Sequence, residues 1–186
     1  MLLENKRVLI TGAGRGIGRQ TAIEMAKEGA VILGAGRRQA PLLEMAEQVQ
    51  QLGGQSYIAT MDIADYDMSK QAIDALAAEA GGIDILVHCA AIFEEAFFTD
   101  MTPEQWQRTI SIDLNGAYNV IHSAIPYIIK AKGSVVSVVS QDAFYGCPGY
   151  SHYSASKAAV VGLTRTLARE LGPSGVRLNC VAPGIT

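Results

Sequence analysis

The sequence predicts a single α/β domain, residues 1–186, built on a doubly wound parallel sheet with helices on both faces. Three observations carry that expectation. Short β-branched or apolar runs alternate with helical stretches along the whole chain. A glycine cluster, Gly12-Ala13-Gly14-Arg15-Gly16-Ile17-Gly18, separates the first apolar run from the first helical stretch. The length of 186 residues suits one domain with a sizeable core.

The elements follow in order. Residues 6–11 (KRVLIT) read as a short buried strand, which passes through the glycine cluster into a helix over about residues 19–28. Glycines let a backbone approach a pyrophosphate, and a helix amino terminus offers free N–H groups with a positive partial charge. The spacing Gly12, Gly16, Gly18 is G-x-x-x-G-x-G, and strand, turn and helix in that order predict dinucleotide phosphate binding. Residues 30–35 are the second strand. A carboxylate at its end would hold the adenosine ribose hydroxyls, whereas arginine accommodates a 2′-phosphate. Here the end reads Gly36-Arg37-Arg38, with Arg15 available from the glycine turn, so NADP(H) is expected over NAD(H).

A helix over about residues 39–52 precedes a third strand at 55–60 and the pair Asp62-Ile63. Asp65 or Ser69 can cap the next helix, which runs to about Ala80 and ends at Gly81-Gly82. Residues 83–87 are a fourth apolar strand, with His88-Cys89-Ala90-Ala91 at its carboxyl end. Pro103 suits the first turn of a long helix to about Lys130, interrupted near Pro126. The fifth strand is 134–139, followed by a loop carrying Gly146, Pro148 and Gly149 and a helix over 151–171. Residues 176–181 are the sixth strand, closed by Ala182-Pro183-Gly184-Ile185-Thr186.

The chemistry concentrates around the fifth strand. Tyr153 and Lys157 are four residues apart on one helix face. Ser140 sits at the carboxyl end of a strand, where such sheets place their ligands. A phenol titrates near pH 10, and a neighbouring ammonium favours the phenolate, so Lys157 is expected to lower the pKa of Tyr153. The trio can pass a proton to a carbonyl oxygen that becomes an alkoxide, or take it back. Taken alone, Tyr-x-x-x-Lys reads as ordinary helix surface; the nucleotide-binding context upstream reverses that.

Composition narrows the partners. Hydrophobic residues make up 49% and charged residues 18%, a globular balance. A net charge of -3 gives no electrostatic reason to expect nucleic acid or anionic lipid. No apolar run approaches the ~20 residues that cross a bilayer. The start leads straight into a strand without a secretory pattern, and Cys89, Cys147 and Cys180 are scattered without metal-ligand spacing. A cytoplasmic protein without a metal site is the expectation.

With these pieces placed, the chain resembles the short-chain dehydrogenase/reductase family, single-domain Rossmann-type oxidoreductases. The resemblance spans residues 6–186 and is carried by Thr11 through Gly18, by Tyr153-Ser154-Ala155-Ser156-Lys157, and by Asn179 through Pro183-Gly184. Ser140 precedes Tyr153 by 13 residues, the offset of the family's catalytic serine. The resemblance implies that Tyr153 is the general acid–base, that Lys157 tunes it and binds the nicotinamide ribose, and that Ser140 orients the substrate oxygen. Asp62 and Ile63 match positions that contact adenine. Ala90 falls beside the cofactor, and Pro183, Gly184 and Ile185 match the turn at the nicotinamide. A homo-oligomer, a tetramer pairing through its two long helices, is also implied.

The chain departs from the family in three places. Asp113, in Ile112-Asp113-Leu114-Asn115-Gly116, stands where the catalytic tetrad usually has asparagine; a carboxylate there can attract Lys157 and weaken its effect on Tyr153, slowing turnover or shifting the pH optimum. His88-Cys89-Ala90-Ala91 replaces the usual Asn-Asn-Ala-Gly, with His88 expected as a satisfied structural histidine and Ala91 crowding the cofactor slightly. Family members run to roughly 250 residues, so the C-terminal, substrate-covering part of the family fold is expected to be absent here. The implied activity is interconversion of a ketone and a secondary alcohol, with a 3-oxoacyl thioester as the favoured substrate by analogy. A cofactor-binding regulator or scaffold with little catalysis is the alternative, on the strength of Asp113, the altered stretch at His88 and the short chain.

Overall fold

Six parallel strands form the sheet in the computed structural model, which describes residues 1–184. They are β1 (Arg7–Thr11), β2 (Val31–Gly36), β3 (Ser56–Thr60), β4 (Ile85–His88), β5 (Ser134–Val138) and β6 (Arg177–Val181), in the order β3-β2-β1-β4-β5-β6. The helices are α1 (Gly16–Lys27), α2 (Gln39–Gln51), α3 (Tyr66–Ala80), α4 (Pro103–Thr109), α5 (Gly116–Ala131), the short α6 (Asp142–Tyr145) and α7 (Ser151–Leu171). No described helix is long and apolar enough to cross a membrane.

The period of two along each strand decides which side chain meets which helix layer. Val8, Ile10 and Ile32 face Ala22 and Ala26 of α1 and Leu42, Met45 and Val49 of α2. Leu9, Leu33, Leu86 and Val135 pack against Ile73 and Leu76 of α3 and Val120, Ile121 and Ile128 of α5. Both faces are covered, which is why these strands read as continuous apolar runs rather than alternating ones. Each fully buried Leu or Ile contributes about 1.5–3 kcal/mol of transfer free energy.

Strand β1 pairs with β2 on one side (Leu9 opposite Leu33) and with β4 on the other (Leu9 opposite Leu86). Chain order reverses there, which opens a crevice at the carboxyl ends of β1 and β4. Arg7 and Asp84 fasten the far end of the same pair, with Nε donating to Oδ2 at 2.7 Å and Nη2 to Oδ1 at 2.9 Å.

Asp65, not Ser69, caps α3; its carboxylate accepts the Met68 N–H at 2.9 Å, and Gly81 closes the helix at φ 79°. The long helix expected to break near Pro126 runs through it, because buried residues on both sides hold α5 in place. The irregularity lies earlier. Residues Ile110–Asn115 form a π-helical turn between α4 and α5, and Asp113 sits in it. Such turns shift every later side chain around the helix axis, and no periodicity argument anticipates them.

Candidate active site

The glycine turn is shaped by backbone geometry that only glycine supplies at low cost. Gly12 and Gly16 adopt φ of 69° and 53°. A Cβ on Gly18 would collide with the Gly12 carbonyl, so α1 can begin tight against the end of β1 only without one. Arg19 braces the turn from behind, with Nε donating to the Gly14 carbonyl at 2.8 Å and Nη2 to Glu44 at 2.8 Å. Nothing but backbone occupies the start of α1: Arg15 makes no side-chain cap, and the first turn holds no acidic residue. Its free N–H groups and dipole are left for an anion.

A cleft of about 710 Å³ opens at this turn. It brings together Gly12, Gly14, Arg15, Gly16, Ile17, Gly18, Arg37, Asp62, Ile63 and Ala90. Arg15, Arg37 and Arg38 are exposed along it. Ile63 is fixed by α5: Asn119 Nδ2 donates to its carbonyl at 2.8 Å, and Gly116 leaves room for its side chain. A backbone cradle with free N–H groups, an apolar slot at Ile63 and three guanidiniums are the donor set a phosphorylated dinucleotide needs.

At the carboxyl end of β5 the second group assembles. Lys157 is 3% exposed; its Nζ donates to the Val138 carbonyl at 3.1 Å and lies 5.5 Å from the centre of the Tyr153 ring. Burial pushes its pKa down, opposed by Asp113, Cys89 and Cys180. Ser140 is buried and accepts the Asp142 N–H at 3.1 Å. Pro183 joins this corner by accepting the Gln141 N–H at 3.1 Å, and Gly184 lies against the Gln141 side chain. Ile185 falls outside the described residues. Pro183, Gly184, Ser140, Tyr153 and Lys157 do not line the cleft; the link between the two groups is Phe93, which lines it and meets the Tyr153 ring.

One expectation is corrected here. The pKa of Tyr153 is raised, not lowered. Desolvation is the largest cause, the Ser140 hydroxyl pulls the other way, and the charges of Asp113 and Asp142 add to the rise. Helical spacing placed Lys157 beside the ring correctly, but spacing says nothing of burial, and burial wins.

Asp113 is fully buried on the π-helical turn. Its Oδ1 accepts the Ile92 N–H at 2.9 Å, and its Oδ2 has no partner among the described residues. Desolvation raises its pKa to about 6, against the attraction of Lys157. His88 is half satisfied rather than satisfied: Nδ1 pairs with Thr11 Oγ1 at 2.9 Å, while Nε2 is buried without a partner among the described residues. Burial holds its pKa down at about 3. Asn115 is exposed, away from Asp113.

Sequence reasoning missed two rings. Phe93 stands edge-on to Tyr153 with centroids 4.9 Å apart, and Tyr150 stacks on Phe93 at 4.0 Å. Both lie in loops, where no periodicity marks them. It also missed Thr11, whose hydroxyl meets the N–H groups of Cys89 and Ala90 at 3.2 and 3.3 Å.

The profile of the short chain dehydrogenase family matches residues 6–186. A 3-oxoacyl-[acyl-carrier-protein] reductase FabG of Thermotoga maritima is 38% identical over 185 residues, covering 99% of this chain and 75% of the relative. The protein of the same name from Staphylococcus epidermidis is 34% identical, covering 97% and 75%. Among solved structures, a dehydrogenase/reductase from Sinorhizobium meliloti superposes with a TM-score of 0.95 at 34% identity, covering 99% of this chain and 73% of that one. Carveol dehydrogenase from Mycobacterium avium, in complex with NAD, gives 0.92 at 30%, covering 98% and 71%. A parallel sheet reversing at β1/β4, a glycine cradle at that reversal and relatives matched over almost every residue converge on one conclusion: the chain belongs to the short-chain dehydrogenase family and is an NAD(P)-dependent oxidoreductase.

Proposed function

We propose that residues 1–186 form one NADP(H)-binding domain that interconverts a ketone and a secondary alcohol, with Ser140, Tyr153, Lys157 and Asp113 as its working groups. The observation that carries this reading is the buried Lys157 ammonium 5.5 Å from the Tyr153 ring, which in turn meets Phe93 of the glycine-turn cleft. The nicotinamide, when bound, supplies or accepts the hydride. Tyr153 gives its proton to the carbonyl oxygen as that oxygen becomes an alkoxide. Its raised pKa keeps it protonated at neutral pH, the form reduction requires. Ser140 holds the same oxygen by hydrogen bond. Lys157 puts a positive charge under the developing anion, and Asp113 favours that charge. Gly12 to Gly18 take the phosphates. Asp62, Ile63 and Ala90 would serve the adenosine end and the cleft wall, and Pro183 and Gly184, with Ile185 from the sequence alone, would serve the nicotinamide end.

Arg37 and Arg15 support NADP(H) over NAD(H), since no carboxylate stands at the end of β2. A 3-oxoacyl thioester is the proposed substrate, supported by the names of the Thermotoga and Staphylococcus relatives. A tetramer pairing through α4–α5 and α7 belongs to the same reading, supported by Tyr118 and Ile129, exposed on α5. A cytoplasmic setting is supported by three free thiols, Cys89, Cys147 and Cys180.

The test is steady-state oxidation of NADPH and NADH with a ketone panel that includes a 3-oxoacyl thioester, in the wild type and in Tyr153→Phe. Turnover that prefers NADPH and the thioester and is lost in the variant supports the proposal. Tight NADPH binding without turnover, equal in both proteins, would instead indicate a regulatory protein.

A further inference from the structure

The loop after β4 sets a ring against the proposed acid–base phenol. Phe93 meets Tyr153 edge-on, with planes at 76°, and stacks parallel to Tyr150 with planes 4° apart. With both neighbours in place Phe93 remains 58% exposed. Phe93 also lines the glycine-turn cleft, and Tyr153 does not. Phe93 therefore joins the lining of the cleft to the Tyr153 ring.

The ring is held in place. One residue before it, the Ile92 N–H is tied to Asp113 at 2.9 Å. Three residues after it, the Ala96 N–H donates to the Gly149 carbonyl at 2.8 Å, joining this loop to the one that carries Tyr150. Glu95 packs so closely on Gly149 that a Cβ there would stand 3.1 Å from its Cγ. A fixed aromatic face costs a ligand little ordering entropy.

Resting on the ketone-reductase reading, the geometry points to Phe93, backed by Tyr150, as a specificity-determining subsite for an apolar substituent on the substrate carbonyl, an alkyl chain or an aryl ring. An exposed ring face gains from covering by CH₂ groups or by another ring. It offers a hydroxylated substituent nothing in return for the water that substituent gives up. The acyl tail of a 3-oxoacyl thioester fits this subsite, and a sugar ketone does not.

Two measurements test it. The first is kcat/KM for methyl ketones of increasing chain length, with an aryl ketone and dihydroxyacetone alongside, in the wild type, Phe93→Ala and Phe93→Leu. The second is calorimetric binding of the matching aliphatic carboxamides, whose carbonyl is not reduced, so that no turnover is needed. In the wild type both readouts should rise about twofold to fourfold per added methylene over the first few. In Phe93→Ala the increment should fall below about 1.5-fold, and in Phe93→Leu the alkyl increment should persist while the aryl preference drops about threefold or more. Phe98→Ala, another exposed aromatic of the same loop, should keep the wild-type increment. Equal increments in the wild type and Phe93→Ala, or a preference for dihydroxyacetone, would overturn the assignment. Increments in amide binding that depend on Phe93, with no ketone reduced, would uphold the subsite and overturn the reductase reading instead.

Discussion

Replacing Asp113 with asparagine is expected to make the protein lose stability more steeply on acidification. The folded protein holds the Asp113 proton more tightly than the unfolded chain does, because burial lifts its pKa from 3.8 to about 6. Its contribution to stability therefore falls as the pH climbs through that window and is flat above it. Between about pH 5 and about pH 8 the fall is about 1.4 kcal/mol. His88 acts in the opposite sense. Burial lowers its pKa from 6.5 to about 3, so the unfolded chain binds the proton first and stability is lost as the pH drops below 6.5. Over the same interval that is worth about 2 kcal/mol, so the two slopes largely cancel and leave about 0.6 kcal/mol. Asp113→Asn removes one of them and uncovers the other. Urea denaturation of both proteins at both pH values is the assay. The change in unfolding free energy between the two pH values should be about 1.4 kcal/mol larger in the variant, whatever fixed cost the new amide brings. Identical changes in the two proteins would refute the reasoning, because they would mean that the buried carboxyl does not titrate in this range.

The same substitution removes a negative charge that helps raise the Tyr153 pKa, so the phenol limb of the pH–rate profile should move to lower pH. Tyr153→Phe should cut kcat by about a hundredfold to ten-thousandfold while NADPH affinity, read by fluorescence titration, stays within about threefold. Arg37→Ala should weaken NADPH binding by about tenfold or more, the worth of a charge-assisted hydrogen bond, and leave NADH affinity unchanged. Gly18→Ala should cost about 1–3 kcal/mol in thermal or urea unfolding and abolish nucleotide binding, since its methyl runs into the Gly12 carbonyl.

What the sequence made legible is what spacing and chain order control. The alternation of strands and helices predicted the sheet, the glycine turn fell at its reversal, and Tyr153 and Lys157 came out side by side on α7. What it left dark depends on three-dimensional surroundings. The break expected at Pro126 is absent because the buried residues of α5 outweigh the lost hydrogen bond and ring clash, a cost of about 3 kcal/mol. The real irregularity at Ile110–Asn115 carries no breaker residue at all. The direction of the Tyr153 shift required knowing how much water reaches the phenol. Phe93 lies in a loop without regular structure, so only the folded backbone shows which ring it touches.

The threonine at the end of β1 dictates a tautomer. Its oxygen already faces two backbone donors, Cys89 N–H and Ala90 N–H, so the hydroxyl hydrogen is the one left to point at the imidazole. Nδ1 of His88 must then carry a lone pair, and the ring hydrogen sits on Nε2. Adding a second ring proton would set two hydrogens against each other across 2.9 Å, which reinforces the resistance to charging that burial creates. Valine at position 11 would keep the shape and leave the Cys89 N–H its bond to the backbone carbonyl of residue 11, yet strand the Ala90 N–H and a ring nitrogen together, two orphaned groups from the loss of a single oxygen.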